Sequence, residues 1–338
     1  MCGICAIVVG VAAINGTGLW QSPDDPRLRR LRDVGTVTSD RIDLHHANVT
    51  DDDLEILEPF TDVTSLSLRG NSISDRGIQH LRNMRKLQGA NLKGCDVGDA
   101  GMRVIGDFAD LRYLAVRAPK LTNDGLSRLG KLTKLKELWL IEAPITARGF
   151  ANMPVLPNLE ELMLVGCKRI DSKAIEELAK LQKMEKLTVF HAPGIGDDAC
   201  GELAKLPRLT HLSVINCPIG NCGLRQLANS ATITDLRLDR TNVSNAATSY
   251  LRDWTALRGL ALDGSLITDE GVRVLTEHPH IRGLSLNGTV VSDDCLAALA
   301  KMESLKFLSI EDTKVTYRGV GELKRNRPDI RVQSNARP

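Results

Sequence analysis

Aromatic side chains are scarce, with three Trp, three Tyr and five Phe making up only 3% of 338 residues. Apolar residues nevertheless reach 42%, so the core has to be assembled from Leu, Ile, Val and Ala rather than from large rings. An excess of charge of one sign is lacking as well. The 44 Lys and Arg face 42 Asp and Glu, a net +2 with both signs interspersed, which leaves no basic field for nucleic acid and no acidic tail to imitate it. There is no glycine-rich phosphate loop, no carboxylate pair in a distinct context, and no Ser or Cys nucleophile beside a His with a third orienting group. These absences argue against an enzyme, a metal site, a cofactor and a small-molecule substrate.

What is present is a repeat. Segments of the form L-x-x-L-x-L recur, with an anchor at Ile42, Leu66, Ala90, Leu114, Leu138, Leu162, Leu187, Leu212, Leu236, Leu260, Leu284 and Leu308. The spacing is 24 residues, except 25 on either side of Leu187. Within each coil the L-x-L pair alternates with period two, the mark of a short strand with Leu138 and Leu140 inward and Glu137, Trp139 and Ile141 outward. Seven or eight residues after the anchor comes Ile, Val or Leu, in most coils followed by Thr or Ser, often an acid, a small residue, and apolar positions three apart, as in Ile267-Thr268-Asp269-Glu270-Gly271-Val272 with Leu275. That is a capped helix start with one buried face. No coil can bury its apolar face alone, so the coils must stack.

The chain resembles the leucine-rich repeat family over residues 37–332. The outer half is similar to bacterial 24-residue repeats and, through them, to the cysteine-containing and ribonuclease-inhibitor subclasses. The resemblance implies an α/β right-handed solenoid, a horseshoe or arc of about twelve repeats, with a parallel concave sheet and short convex helices. It also implies a position after each strand whose Asn or Cys bonds the turn. Here that position reads Asn71, Cys95, Cys167, Cys217, Thr241, Ser265, Thr289 and Thr313, whereas Ala47, Pro119, Ala143 and Ala192 depart from it and predict looser turns.

Cys95, Cys167 and Cys217 are thereby explained as turn residues, Cys200 as an apolar helix position and Cys295 as the small residue. Free structural thiols suit a reducing compartment. Cys2 and Cys5 form a C-x-x-C without a second ligand pair, and Cys222 has no assignment. His45 and His46 near Asp43 read as a solvated strand end rather than a metal or acid–base site. The glycosylation-like Asn48-Val-Thr, Asn242-Val-Ser and Asn287-Gly-Thr are products of the repeat itself.

Residues 1–20 form an apolar segment that reads as a membrane anchor, an export signal or a buried cap. The arginines that follow would leave an anchored array in the cytoplasm, the alternatives being a soluble cytoplasmic protein or an exported one. Residues 21–36 read as a capping helix, 37–332 as the array and 333–338 as a polar tail.

In the resembled family partners dock on the concave strand positions. Tyr113, Trp139, Ile141, Met163, Val165, Phe190 and Ile215 occupy them in the middle of the array, where solvent would favour polar residues. Arg69, Lys93 and Arg117 make the preceding part basic, and Asp235, Asp239 and Asp263 tilt the following part acidic. The expectation is a scaffold binding a protein partner over the middle zone, not nucleic acid. The alternatives are a recognition subunit of a larger enzyme complex, ubiquitin-ligase-adaptor-like or GTPase-activator-like, and an exported envelope or adhesion protein.

Overall fold

The computed structural model describes residues 25–337. A helix, Pro26–Val34, opens the described chain, with Asp25 capping it through the Arg27 N–H at 2.8 Å and Leu28 and Leu31 buried beneath it. Fourteen strands follow in one open sheet whose spatial order is their chain order. Thr36–Val37 pairs antiparallel with Arg41–Asp43, and every later pairing is parallel and in register, anchor against anchor, to Arg331–Gln333 at the far edge. The apolar segment 1–20 lies outside the described residues, among which no helix is long and apolar enough to cross a membrane.

Every anchor residue is buried, and in the coil of Leu138 the side chains of Leu138, Leu140, Ile145 and Phe150 are fully inside. Burying each is worth about 1.5–3 kcal/mol, and because each is covered by the coils before and after it, the core runs continuously along the array. Rings that do enter the core, Phe108, Phe150 and Trp254, sit on the helical side.

Two devices repeat from coil to coil. First, the turn after the strand contains a residue in the left-handed region, four after the anchor, in eleven of the twelve coils: His46, Gly70, Gly94, Glu142, Gly166, His191, Asn216, Arg240, Gly264, Gly288 and Asp312. The exception is the coil of Leu114. There Ala118 precedes Pro119, and a residue before proline is pushed to extended backbone, so Ala118 turns into the core instead. The looser turns expected at Ala143 and Ala192 do not form. Both side chains are fully buried, and Glu142 and His191 keep the common turn; Pro119 changes it, and the Ala47 coil keeps His46 left-handed but adds Asn48 at φ 52°.

Second, a ladder of Asp and Asn at the start of most outer helices holds the helix start of the next coil. The Gly98 N–H donates to Asp75 Oδ1 at 2.6 Å, the Thr122 N–H to Asp99 at 2.8 Å and the Thr146 N–H to Asn123 at 2.9 Å. Asp51, Asp197, Asn221, Asn245, Asp269 and Asp293 do the same for Ser74, Gly220, Ser244, Thr268, Ser292 and Thr316. The small residue next in the helix leaves room for that oxygen. A Cβ on Gly101 would stand 2.6 Å from Asp75 Oδ1, and one on Gly125 would stand 2.0 Å from Asp99 Oδ1. Ala147 and Ser172 interrupt the ladder, and there the small residue is Ala174 or Ala199 rather than glycine. Where a Cβ does sit beside a ladder side chain, at Ala247 and Cys295, the helix opens as a 3-10 turn, Asn245–Leu251 and Asp293–Cys295.

The position after the strand behaves according to its chemistry. Asn71 bonds across coils, donating to Leu44 O at 2.7 Å and accepting the Val49 N–H at 3.1 Å, and the Cys167 thiol reaches Leu140 O of the preceding coil at 3.5 Å. Thr241 and Thr289 instead close their own coils, each on the carbonyl three residues back at 2.6 Å.

Candidate concave interface

Each coil turns the first and third residues of its strand and the position two further on, which ends the five-residue strands, away from the core, so the concave surface consists of three parallel rows. Parallel pairing puts Arg117, Ile141, Val165, Phe190 and Ile215 side by side in the fifth row and Trp139 beside Met163 in the third, with Tyr113 in the first. Six of the seven middle-zone side chains are half-buried, and Phe190 is 37% exposed. They cover one another as well as the sheet.

Trp139 is the hub. Tyr113 meets it edge-on, with ring centroids 5.9 Å apart and planes at 74°. Its indole N–H donates to Glu161 Oε1 at 3.2 Å, and the Lys93 ammonium lies 3.5 Å from its ring centroid, a cation–π contact. Burial and the neighbouring Arg69 lower the Lys93 pKa. Arg117 does not contribute the open positive charge the sequence assigned to it, because Asp96 and Glu142 both pair with it.

The acidic flank is engaged within the protein, and one of its acids is buried. Asp239 is only 6% exposed; Arg237 reaches its Oδ2 at 2.7 Å while Oδ1 is buried without a partner, and burial raises its pKa, with Asp263 adding to the rise. Asp263 accepts the Ser285 hydroxyl at 2.6 Å and the Asn287 N–H at 2.9 Å, and Asn287 in turn accepts the Ser309 hydroxyl at 2.8 Å and the Glu311 N–H at 2.7 Å. Asp235 takes the Thr234 hydroxyl at 2.7 Å and stands 3.6 Å from His211. Sequence alone could not separate Asp263 from a free acid, since its partners Ser285 and Asn287 lie one coil away.

Among the described residues no cluster of three His, Cys, Asp or Glu is placed to hold a metal. His45 bonds Asp43 at 2.7 Å and is open to water. Burial pushes the thiols of Cys95, Cys200 and Cys295 up to about 12 and that of Cys167 to about 11, so none is a nucleophile near neutrality.

A family description, leucine-rich repeat, matches residues 61–81. The chain has the leucine-rich repeat fold. Its array is similar to the crystal structure of an internalin, InlF, from Listeria monocytogenes at 20% identity and a TM-score of 0.54, over 86% of this chain and 90% of that one. It is also similar to the structure of TLR13 in complex with ssRNA13, at 19% identity and a TM-score of 0.50, over 77% of this chain and 41% of that one. No curated protein matches the sequence.

Proposed function

We propose that the array is a protein-binding scaffold whose partner docks on the concave rows over Tyr113, Trp139, Ile141, Met163, Val165, Phe190 and Ile215. The observation that carries this is the unbroken apolar run Ile141, Val165, Phe190, Ile215 on four adjacent strands, in a row that faces water and is polar or charged elsewhere. Adjacent strands are about 4.8 Å apart, so the run offers a partner roughly 15 Å of apolar edge. Apolar runs on a solvent-facing sheet are a recurrent feature of partner sites, with aromatic side chains among the common anchors. The fold, shared with proteins that are typically binding scaffolds, supports the same reading.

Photo-crosslinking tests it. A photoreactive phenylalanine analogue replaces Phe190 in the full chain, and a control chain carries it at Arg148 on an outer helix. A protein crosslinked from position 190 and not from 148 is the expected result. Crosslinking from both alike, or from 148 alone, would overturn the concave reading and move the search to the helices.

A further inference from the structure

Arg69 and Lys93 follow adjacent strands at the fifth-row position, where the Gly70 N–H donates to Lys93 O at 2.7 Å, and among the described residues neither makes an ion pair. The contrast with their neighbours is sharp. Arg41 has Asp43, Arg117 has two acids, and Arg237 has Asp239. Two like charges one strand apart repel, and the depressed Lys93 pKa carries that repulsion together with burial. Lys93 is held by the face of Trp139 rather than by a counter-ion. An anion between the two side chains would relieve the repulsion, and a guanidinium presents two parallel N–H donors to a carboxylate.

At the start of the strand that leads to Lys93, Gly89–Leu92, the floor opens. Gly89 occupies the first row between Ser65 and Tyr113, and a Cβ placed on it would meet nothing within 4 Å. Tyr113 is the neighbour of Gly89 in that row and, with Trp139 edge-on to it, walls the gap on one side. On the other side of the wall are two carboxylates, Glu137 and Glu161, whose mutual repulsion adds to burial in raising the Glu137 pKa.

The geometry points to an acidic peptide segment as the occupant of this part of the groove. One or two carboxylates lie against Arg69 and Lys93, and an adjacent apolar side chain fills the gap over Gly89 against Tyr113. This names the partner chemistry for the scaffold reading and rests on it. A single-stranded nucleic acid is disfavoured, because its evenly spaced phosphates would run from these two cations onto Glu137 and Glu161.

The test uses the full chain and fluorescein-labelled nonapeptides carrying a Glu-Glu pair one to three positions from Leu or Phe on an Ala/Ser background. Matched panels carry Gln-Gln or Lys-Lys, and oligouridylate is the competing probe. Fluorescence anisotropy at low salt should show Glu-Glu peptides binding about tenfold more tightly than Gln-Gln ones. Arg69→Glu with Lys93→Glu should reverse the preference in favour of Lys-Lys. Arg69→Gln alone, at an exposed side chain without partners, keeps the fold and should cost several-fold.

Equal binding of the Glu-Glu and Gln-Gln panels, no binding of any Glu-Glu peptide, or tighter oligouridylate binding that also depends on Arg69 and Lys93 would each overturn the inference. A partner that still crosslinks from position 190 in the charge-reversed chain would leave the scaffold standing and remove only this occupant.

Discussion

Asp269 holds Ser292 with both carboxylate oxygens, one accepting the backbone N–H at 2.7 Å and the other the hydroxyl at 2.7 Å. The same grip repeats along the outer edge, and it links what looks like a helix-capping acid in one coil to a small residue in the next. Asp75 and Gly101 form such a linked pair. Gly101→Ala should cost about 1–3 kcal/mol, since its Cβ would press on Asp75 Oδ1 and Val97. Asp75→Ala should cost about as much by leaving the Gly98 N–H without its acceptor. The double variant should lose clearly less than the sum in urea unfolding, and strict additivity would show that the carboxylate and the missing side chain are not coupled.

The left-handed residues after the strands make a second, opposite prediction. Arg240 adopts φ 54°, a conformation that disfavours any residue with a Cβ, while Gly166 uses its freedom at φ 66° with no atom closer than 3.5 Å to its would-be Cβ. Arg240→Gly should therefore stabilise the array, or at worst be neutral, and Gly166→Ala should destabilise it by about 1 kcal/mol. Thermal melts that rank the two the other way would contradict the strain argument.

His278 supplies a pH dependence. Its Nδ1 accepts the N–H groups of His280 and Ile281 at 3.1 and 3.2 Å, and its Nε2–H donates to Trp254 O at 3.0 Å, so only the neutral ring satisfies all three. Burial lowers its pKa, and nearby Arg258 and His280 lower it further. A histidine depressed in the folded chain binds its proton more readily when unfolded. Its contribution is thus complete above the unfolded value of about 6.5 and is lost as pH falls below it. Ser230 plays the corresponding turn role two coils earlier, its hydroxyl accepting from Thr232 and Ile233. His278→Ser should flatten the fall in unfolding free energy between pH 7 and pH 5, approximate limits set by the histidine range; an unchanged slope would assign that fall elsewhere.

Thiol chemistry should divide the cysteines. Cys222 is exposed, whereas Cys95, Cys167, Cys200, Cys217 and Cys295 are buried with raised pKa values. Iodoacetamide followed by peptide mass analysis should modify Cys222 in the native array and the other five only after unfolding. Native labelling of Cys95 would mean that the coils open locally far more often than the packing allows.

Core and groove separate by one residue. Leu138→Ala removes a fully buried side chain and should cost about 2–5 kcal/mol. Trp139→Ala removes a half-buried ring held by Tyr113, Lys93 and Glu161, and should cost markedly less stability while abolishing partner crosslinking from position 190. A melting-temperature loss as large as that of Leu138→Ala would make the aromatic cluster a brace for the sheet rather than an interface.

The twelve anchors, the alternation of each strand and the capped outer helices were all legible in the order of residues, because a coil that buries one face must repeat its apolar positions at the period of its backbone. The rows of the concave surface were legible for the same reason, since parallel pairing of equal repeats leaves one register. The meaning of the individual charges in those rows was not. Arg69 and Arg117 occupy equivalent positions, yet Arg117 is neutralised by Asp96 and Glu142 and Arg69 has no ion pair. Asp239 reads as an exposed acid and is buried, while Lys93 reads as a free cation and lies on Trp139. Such pairings join residues one or two coils apart. Local sequence therefore determined the backbone period and the side each residue faces, and only the stacking of coils decided which charges meet, because electrostatic and aromatic contacts depend on distances across strands that no single coil contains.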